Sequence, residues 1–283
     1  MSTDSPAGRL VLAATPLGDA RDASVRLRDA LADADIIAAE DTRRLRSLVA
    51  ALDVTVSGKV VSHYDSVEAA RLPGLLDAVR SGSTVLVVTD AGMPAVSDPG
   101  FRLVAAAAAE DLPITCLPGP SAVTTALVLS GLPCERFCFE GFAPRRSGER
   151  RRWLAELVAE RRAVVFFESP HRLADTLRDA VDVLGPDRAA AVCRELTKRY
   201  EEVVRGSLTE LAEWATGEVR GEITVVLAGA ALAEAPSVES LMSEVQARVA
   251  DGERLKDAAA AVAEATGTSK RELYNAALAA RDN

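Results

Sequence analysis

The sequence is poor in cysteine, with four in 283 residues. Thiols this scattered do not form the dense framework of a disulfide-stapled domain. Two of them lie close together, but the second pair of ligands that a zinc site needs is missing. We therefore interpret all four as small, mostly buried thiols: Cys116, Cys134, Cys138 and Cys193.

Excess positive charge and long apolar runs are also missing. The formal net charge is −9 and the isoelectric point is near 5.0, which argues against a general nucleic-acid coat or a basic membrane-binding protein. A local basic patch in an acidic chain can still contact RNA. The amino terminus, MSTDSPAGRL, lacks the pattern of a secretion signal, and runs such as LVAAAAAE are too short and Ala-rich to span a bilayer. The sequence therefore predicts a soluble, cytoplasmic protein.

What is present is an alternation of short apolar runs with helical stretches. Hydrophobic residues make up 48% of the chain, enough for a large core and two domains. The predicted strands are RLVLAAT, ADIIAAE, KVVSHY, STVLVVTD, ITCLPG, FCFEGF, RAVVFFES, AAAVCREL, YEEVVRGS and GEITVVLAG. Between most of them lie segments with apolar residues at helical spacing, which predicts an α/β fold with largely parallel pairing. The second half has more direct strand-to-strand succession, so we expect a mixed sheet there.

Composition divides the chain into three parts. A strand ends at the Pro-Gly-Pro of LPGPSAVTTAL and a helix begins at Ser121, which indicates a boundary. After Gly229 the sequence becomes Ala-rich and carries no strand signal. We predict an N-terminal α/β domain over 1–117, a C-terminal α/β domain over 118–232 and a helix-turn-helix-like tail over 233–283.

The loops that follow three predicted strands are unusually rich in glycine and proline: ATPLGDARDAS, TDAGMPAVSDPG and CLPGPSAV. Ligands of open α/β sheets bind beyond the carboxyl ends of the strands, so three such loops predict one cleft. Each loop alone could equally be a tight connection, because turns use the same residues. No loop contains a phosphate-binding G-x-G-x-x-G or Walker sequence, so a nucleotide-phosphate site is not supported.

Eight motifs in a fixed order resemble one family: ATPLGD, EDTRR, TDAGMPAVSDPG, GPSA, FEGFAPR, ESPHR, RELTK followed by Glu, and GEITVVL. They are similar to those of the ribosomal RNA small subunit methyltransferase I family, within the tetrapyrrole methylase superfamily. The resemblance implies two α/β domains with a parallel-rich N-terminal sheet and a mixed C-terminal sheet. It also implies a homodimer that binds S-adenosyl-L-methionine in the cleft and methylates the ribose 2′-oxygen of a cytidine in the decoding region of 16S rRNA.

By the same resemblance, the contacts to the methyl donor fall on the strand-terminal loops. The implied donor-binding residues are Pro16, Leu17, Gly18, Asp19, Asp90, Gly92, Met93, Pro94, Val96, Ser121, Ala122, Phe167, Leu196, Ile223 and Thr224. Two of them depart from the family pattern, since relatives more often carry Asn or Gln at Asp19 and Thr at Met93. No metal is expected, because attack on a sulfonium methyl group needs mainly positioning and a desolvated pocket.

A ribose hydroxyl is a weak nucleophile, so a general base or an electrostatic partner is expected near the donor. The candidates at strand ends and loops are Asp98, Glu168, His171, Glu195 and Lys198, with Asp90, Glu222 and Arg43 as further possibilities. Each has a structural alternative, and the sequence leaves the base unassigned. Glu40-Asp41-Thr42 and Ser169-Pro170 are typical of helix starts, and Arg194, Glu195 and Lys198 could form a structural ion-pair network.

The segment RRSGERRR is the strongest basic cluster in this acidic chain. A cationic cluster at a helix start has no helix-stabilising role, so an RNA backbone contact is favoured over a solvated surface. The predicted RNA-binding residues are Arg43, Arg145, Arg146, Arg150, Arg151 and Arg152, with Arg43 expected to face the cleft. In the tail, a break at Gly267 and a cap at Thr268 or Ser269 predict two helices joined by a turn.

Two other functions remain open from the sequence. A methylase of a tetrapyrrole or another small substrate could use the same scaffold, but it gives no reason for the RRSGERRR cluster or the tail. A ligand-sensing DNA-binding regulator would need a basic recognition helix, whereas SKRELYNAALAAR is only modestly charged. We therefore expect an RNA methyltransferase whose partner is 16S rRNA in the small ribosomal subunit.

Overall fold

A computed structural model describes residues 8–231 and 237–280. The strands are β1 (Arg9–Ala13), β2 (Ile36–Ala39), β3 (Lys59–Ser62), β4 (Thr84–Val88), β5 (Ile114–Leu117), β6 (Phe137–Phe142), β7 (Ala163–Glu168), β8 (Ala189–Arg194), β9 (Glu202–Ser207) and β10 (Ile223–Leu227). All ten coincide with runs predicted as strands, because each is a short apolar segment bounded by turn residues.

Eleven α-helices lie in the described part of the chain: α1 (Val25–Asp33), α2 (Thr42–Ala51), α3 (Asp65–Arg80), α4 (Phe101–Ala109), α5 (Ala122–Ser130), α6 (Ser147–Glu156), α7 (Leu173–Leu184), α8 (Leu208–Trp214), α9 (Val238–Ala250), α10 (Leu255–Thr266) and α11 (Lys270–Ala279). A 3-10 turn at Ala20–Asp22 follows β1. Except between β8 and β9, helices alternate with the strands as far as β10, which confirms the predicted α/β class.

The first sheet is fully parallel, with strand order β3-β2-β4-β1-β5. Both faces are covered, as a parallel sheet requires. Leu27 and Leu31 of α1 pack with Leu45 of α2 in one hydrophobic cluster, and Leu76 of α3 and Leu103 of α4 lie in another. Because all strands point the same way, their carboxyl-end loops emerge at a single edge.

The second sheet has strand order β6-β7-β10-β8-β9 and is mixed, as predicted. Only β6 and β7 pair in parallel; β7, β10, β8 and β9 pair antiparallel in succession. Helices α6, α7 and α8 supply Leu154, Leu177 and Leu211 to the core on one face. Helix α5 supplies Val123 and Leu127 to a cluster on the other. This second cluster also contains Leu17 from the β1 loop, which ties the two sheets together.

The chain separates into two compact units, residues 1–229 and 230–283, so both sheets belong to one unit. The predicted boundary between 117 and 118 falls between the sheets and stays a prediction. The predicted tail start at 233 lies outside the described residues. The expectation of mostly buried thiols is correct only for Cys193; Cys116 is exposed because β5 is an edge strand.

The second unit contains α9, α10 and α11 around its own apolar cluster, which includes Val245, Val262 and Leu273. Helix α10 ends at Gly267 in the left-handed conformation, and the Ser269 hydroxyl accepts a hydrogen bond from the amide of Glu272 at the start of α11. The predicted pair of helices around a turn is therefore present. No helix in the described ranges is long and apolar enough to cross a bilayer.

Candidate active site

A cavity of about 380 Å³ lies where the loops of the first sheet meet the second sheet. This volume is in the range of small-molecule sites. The wall from the first sheet and its loops consists of Leu17, Glu40, Arg44, Asp90, Ala91, Ser97 and Asp98. The wall from α5 and the second sheet consists of Ala122, Phe142, Phe167, Glu168, Ser169, Pro170, Leu196, Gly221, Glu222, Ile223 and Thr224. We call this space the interdomain cavity.

The loop from Thr89 to Gly100 is held at both ends. Near its start, Gly92 and Thr15 exchange two backbone hydrogen bonds of 2.9 and 3.0 Å, which fixes the β4 loop to the β1 loop. At its end, the buried Glu68 carboxylate of α3 accepts hydrogen bonds from the amides of Gly100, at 3.0 Å, and Arg102, at 3.3 Å. This contact caps α4 from another helix, since Gly100 has no side chain to do so. The loop is therefore rigidly placed against the cavity.

Backbone strain is concentrated beside the cavity. Ala95 and Ser97 in the β4 loop, and Glu195 and Thr197 after β8, have φ angles of 66°, 63°, 52° and 61°. Non-glycine residues in the left-handed region are uncommon and need support from their surroundings. The strain places Ser97 and Leu196 on the cavity wall.

Two glycines allow the loops to touch. A Cβ atom on Gly18 would lie 2.2 Å from Cγ of Lys198, and one on Gly221 would lie 2.4 Å from Cγ of Glu195. Gly221 also has a φ of 92°, which other residues rarely adopt. The Thr197 hydroxyl accepts a 3.2 Å hydrogen bond from the amide of Asp19. The loops of both sheets thus form one continuous wall.

Of the carboxylates that line the cavity, Asp98 has the fewest partners. It lines the cavity, and within the described ranges its side chain makes no hydrogen bond or ion pair. Burial, followed by the negative charges of Glu40 and Asp90, raises the pKa of Asp98 to about 7. A carboxyl group with a pKa near neutrality can accept a proton at physiological pH.

Asp90 has a bracing role. Its Oδ1 accepts a 3.1 Å hydrogen bond from the amide of Asp41, and its Oδ2 lies 3.3 Å from Nε of Arg44. Its own amide donates to Glu40 at 3.1 Å. Burial raises the pKa of Asp90 and of Glu40, although Arg44 opposes the shift at Asp90. Asp41 caps α2 with a 2.8 Å bond to the amide of Arg43, as the capping alternative predicted.

A chain of charges connects the two sheets across the cavity mouth. From Asp90 it continues through Arg44 to Glu222, at 3.9 Å, and then to Nζ of Lys198, at 3.0 Å. Lys198 also binds Oε1 of Glu195 at 2.8 Å, and that oxygen accepts the amide of Glu222 at 3.0 Å. Burial raises the pKa of Glu195, but these hydrogen bonds outweigh it and lower the pKa overall. Glu195 and Lys198 therefore form the ion pair that the structural alternative predicted, and neither lines the cavity.

Two further base candidates are placed unfavourably. Both oxygens of Glu168 are occupied: Oε1 by the amide of Ser169, at 2.7 Å, and by Arg172, at 2.5 Å, and Oε2 by the Thr176 hydroxyl, at 2.5 Å. Three donors thus already engage this buried carboxylate, which is held in the structure and not free for a substrate hydroxyl. His171 is exposed and does not line the cavity, because Ser169 to Arg172 form a turn and α7 begins only at Leu173. The alternative of a helix start at Ser169-Pro170 is therefore also wrong.

The structure brings together seven of the fifteen residues implied as donor contacts: Leu17, Asp90, Ala122, Phe167, Leu196, Ile223 and Thr224. Pro16 lines a smaller adjoining space of about 40 Å³. The remaining seven residues do not line the cavity: Gly18, Asp19, Gly92, Met93, Pro94, Val96 and Ser121. Asp19 is turned away because its carboxylate binds Arg21 and caps the 3-10 turn, which lowers its pKa to about 2.

The arginine predictions need two corrections. Arg44, and not Arg43, faces the cavity; the Arg43 guanidinium folds back onto Asp41 at the exposed start of α2. Arg150 is not available to RNA, because it is 4% exposed and pairs with Asp179 of α7 at 2.6 Å. Arg151 is shared between Asp179 and Asp182. Of the five in RRSGERRR, Arg145, Arg146 and Arg152 remain exposed.

Sequence reasoning missed several wall residues. Arg44 adjoins Arg43, and only the position of α2 on the sheet decides which one faces inward. Phe142 lies within the FEGFAPR motif, but its role depends on an edge-to-face contact with Phe167, with ring centroids 5.4 Å apart. Ala91, Ser97, Ser169, Pro170 and Gly221 carry no chemical signal of their own.

The composition of the cavity defines what it can hold. Its apolar wall suits a largely apolar or aromatic ligand. Glu40, Asp90 and Asp98 outnumber the single cation Arg44, since Glu168 is paired with Arg172 and Glu222 with Lys198. An organic cation with aromatic and aliphatic parts, such as a sulfonium nucleoside, fits this set. Within the described ranges, no three His, Cys, Asp or Glu side chains are arranged to hold a metal ion.

Comparison with known proteins places the chain in a family. The family model for tetrapyrrole (corrin/porphyrin) methylases matches residues 9–212. The family model for the RsmI C-terminal HTH domain matches residues 243–281. The chain is 62% identical over 277 residues to ribosomal RNA small subunit methyltransferase I of Mycobacterium tuberculosis, covering 97% of this chain and 96% of the relative. It is 41% identical over 274 residues to the protein of the same name from Halalkalibacterium halodurans, covering 95% and 94%.

Solved structures share the fold at lower identity. The methyltransferase CobJ superposes with a TM-score of 0.58 at 21% identity, covering 79% of this chain and 95% of that one. A uroporphyrin-III C-methyl transferase from Thermus thermophilus, complexed with S-adenyl homocysteine, gives a TM-score of 0.54 at 20% identity, covering 78% and 92%. The two-sheet unit thus has the tetrapyrrole methylase fold, and the chain belongs to the ribosomal RNA small subunit methyltransferase I family.

Proposed function

We propose that the protein transfers a methyl group from S-adenosyl-L-methionine to rRNA of the small ribosomal subunit, at the ribose 2′-oxygen of a cytidine in the decoding region of 16S rRNA. Its strongest support is the 62% identity to a ribosomal RNA small subunit methyltransferase I over almost the whole chain. The proposal extends to a homodimer that acts in the cytoplasm without a metal. The position of the target nucleotide is the part that rests on resemblance alone.

The interdomain cavity is the proposed donor site. When bound, S-adenosyl-L-methionine supplies an electrophilic methyl group on a positively charged sulfur. Leu17, Phe167 and Ile223 would enclose its apolar parts, and the surplus of carboxylates would favour its cation. Held between walls from both sheets, a donor and a ribose hydroxyl would be oriented for in-line attack.

Asp98 is the proposed general base. Glu168, Glu195 and Lys198 are occupied by ion pairs, and His171 does not line the cavity. Asp98 alone among the five candidates combines a place on the wall with a free carboxylate. It would accept the proton of the 2′-hydroxyl as the new carbon–oxygen bond forms and the sulfur–methyl bond breaks, with the electron pair going to sulfur.

Filling the cavity should weaken donor binding specifically. Ala122→Phe adds a ring to the cavity wall, and overpacking of about 1–3 kcal/mol corresponds to a donor affinity reduced about 5–150-fold. Isothermal titration calorimetry with S-adenosyl-L-methionine measures this donor affinity. Ala105→Phe on the exposed face of α4 is the matched control and should bind the donor normally. Equal donor affinities for both variants would show that the donor does not bind in this cavity.

The exposed part of the basic cluster is a proposed contact for the RNA backbone. Reversing Arg145, Arg146 and Arg152 to glutamate should raise the KM for small subunits about tenfold or more and reduce its dependence on salt, while donor affinity is unchanged. Reversal of all five arginines of RRSGERRR is unsuitable, because Arg150 belongs to a buried ion pair. A normal KM would show that these three arginines are solvent-exposed surface residues that do not contact the RNA.

The decisive test uses purified small ribosomal subunits that lack the modification, labelled S-adenosyl-L-methionine and the protein. Label on a cytidine 2′-oxygen of 16S rRNA is the expected result. Label on a base, or at another nucleotide, would support rRNA methylation but refute the proposed position at a cytidine 2′-oxygen in the decoding region. Label only in a tetrapyrrole, offered in parallel, would instead favour a small-substrate methylase on this fold.

A further inference from the structure

A second open space lies on the other side of α2 from the interdomain cavity. It has a volume of about 740 Å³ and runs between α2 and the edge strand β3. Its floor is aliphatic: Leu45, Val49, Ala50, Val54, Val56, Val60 and Val61. We call it the edge groove.

The rim of the edge groove carries three exposed cations, Arg46, Lys59 and Arg71, and the lining contains no acidic residue. None of the three makes an ion pair with any residue of the described ranges. Within those ranges they are unpaired positive charges in a chain whose net charge is −9, whereas Arg44, on the cavity side of α2, is paired with Asp90. The groove is therefore a local positive surface in an acidic protein, which attracts a polyanion.

Helix α2 connects this surface to the cavity. Arg44 lines the cavity and Arg46 lines the groove. Two positions along a helix differ by roughly 200° in direction and roughly 3 Å along the axis, so the two side chains leave opposite sides of the same turn. A strand of RNA that enters the anionic cavity with one nucleotide must hold its phosphates outside it. The edge groove provides unpaired cations within about one helix diameter of the cavity, roughly 10 Å.

We infer that the edge groove binds the phosphate backbone of the RNA segment next to the target nucleotide, with a base or ribose resting on its aliphatic floor. This inference rests on the proposed function, because it assigns the substrate a second contact beyond the cavity. It differs from the RRSGERRR contact, which lies on α6 beside the second sheet. The groove lacks aromatic side chains for base stacking, so its contribution is to affinity and placement rather than to sequence recognition.

The test compares Arg46→Glu/Arg71→Glu with Arg26→Glu/Arg28→Glu. The control arginines are exposed on α1 and, in the part of the chain described, make no ion pair. Both variants change the charge by the same amount. The groove variant is expected to raise the KM for unmodified small subunits about tenfold. The slope of log affinity against log salt, measured with a 16S rRNA transcript, should fall in magnitude by about 1.4–1.8, the loss of two phosphate contacts.

The outcomes distinguish failure of the groove inference from failure of the proposed function. If the wild-type protein does not methylate rRNA, the proposed function fails. If the wild-type protein does so but the groove variant behaves like the control, only the groove inference fails. If the groove variant loses affinity for subunits yet binds the transcript with an unchanged salt slope, the groove contacts a ribosomal protein and the RNA assignment is wrong. Donor titration of both variants should give the wild-type affinity, which excludes a disturbed cavity.

Discussion

Asp98→Asn is expected to lower kcat for methyl transfer by about 10²–10⁴-fold, the usual contribution of a general base. Asparagine has nearly the same shape but cannot accept the proton of the ribose hydroxyl. Donor affinity should change far less, because the apolar walls are untouched. The measurement is single-turnover transfer of labelled methyl to small subunits at saturating donor. Full activity of the variant would show that Asp98 is not the general base.

The pH dependence gives an independent check of the same residue. Because Asp98 has a pKa of about 7 and acts when ionised, kcat/KM for wild-type protein should fall as the pH drops below about 7. A bound sulfonium cation favours the carboxylate, so the profile measured with saturating donor should shift to lower pH. A profile that is flat between pH 6 and 8, roughly the range in which such a group titrates, would contradict the assignment.

Thermal unfolding of the same variant separates catalysis from stability. The pKa of Asp98 is higher in the folded protein than in the unfolded chain. Its contribution to stability is therefore fully present below the unfolded pKa and is lost as the pH rises through about 7. Asparagine carries no charge to bury, so Asp98→Asn should have a Tm at pH 8 no lower than that of the wild-type protein. A large drop in Tm would mean that lost activity reflects lost structure.

The second large effect concerns stability. Arg150→Ala is expected to lower the free energy of unfolding by about 1–3 kcal/mol, because it removes the closest ion-pair partner of the buried Asp179 carboxylate, which keeps only Arg151 and Ser147. For a unit of this size the Tm should fall by roughly 2–12 °C. Calorimetry or thermal unfolding followed by circular dichroism measures the fall in Tm.

Two further variants make the interpretation specific. Arg152→Ala, on an exposed side chain of the same helix, should change stability by less than about 0.5 kcal/mol. Arg150→Met combined with Asp179→Leu removes both charges and should recover most of the loss, since apolar residues of similar size often replace a buried ion pair without cost. An Arg150→Ala protein as stable as Arg152→Ala would refute the structural role and return Arg150 to the RNA surface.

The fold was largely predictable because each element carries a local signal. The valine-rich run before Thr89 predicts a buried strand, and the Gly267 break with a Ser269 cap predicts the turn in the tail. Even the mixed second sheet follows from strands that succeed one another without a helix between them. What local signals do not contain is the distance between elements, which is why the limits of the two α/β domains stay a prediction.

The candidate site was predictable only in part, for the same physical reason. Loops rich in glycine and proline indicated a cleft, and Leu17, Asp98 and Thr224 do line the interdomain cavity. Whether a charge is free depends on partners that are distant in sequence. Glu168 is paired by Arg172 and Thr176, and Arg150 is paired by Asp179, 29 positions away. Sequence pattern identifies a charge, whereas pairing decides what that charge can do.

The surplus of carboxylates around the interdomain cavity has a consequence for turnover. Under the proposed reaction, the donor enters as a cation and leaves as a neutral thioether. Glu40, Asp90 and Asp98 would attract the first through charge and the second hardly at all. The cavity would thus discriminate between fresh and spent donor without any change of shape. Exchange of one for the other would be driven by electrostatics, and product inhibition would be weakest at low ionic strength, where charges are least screened.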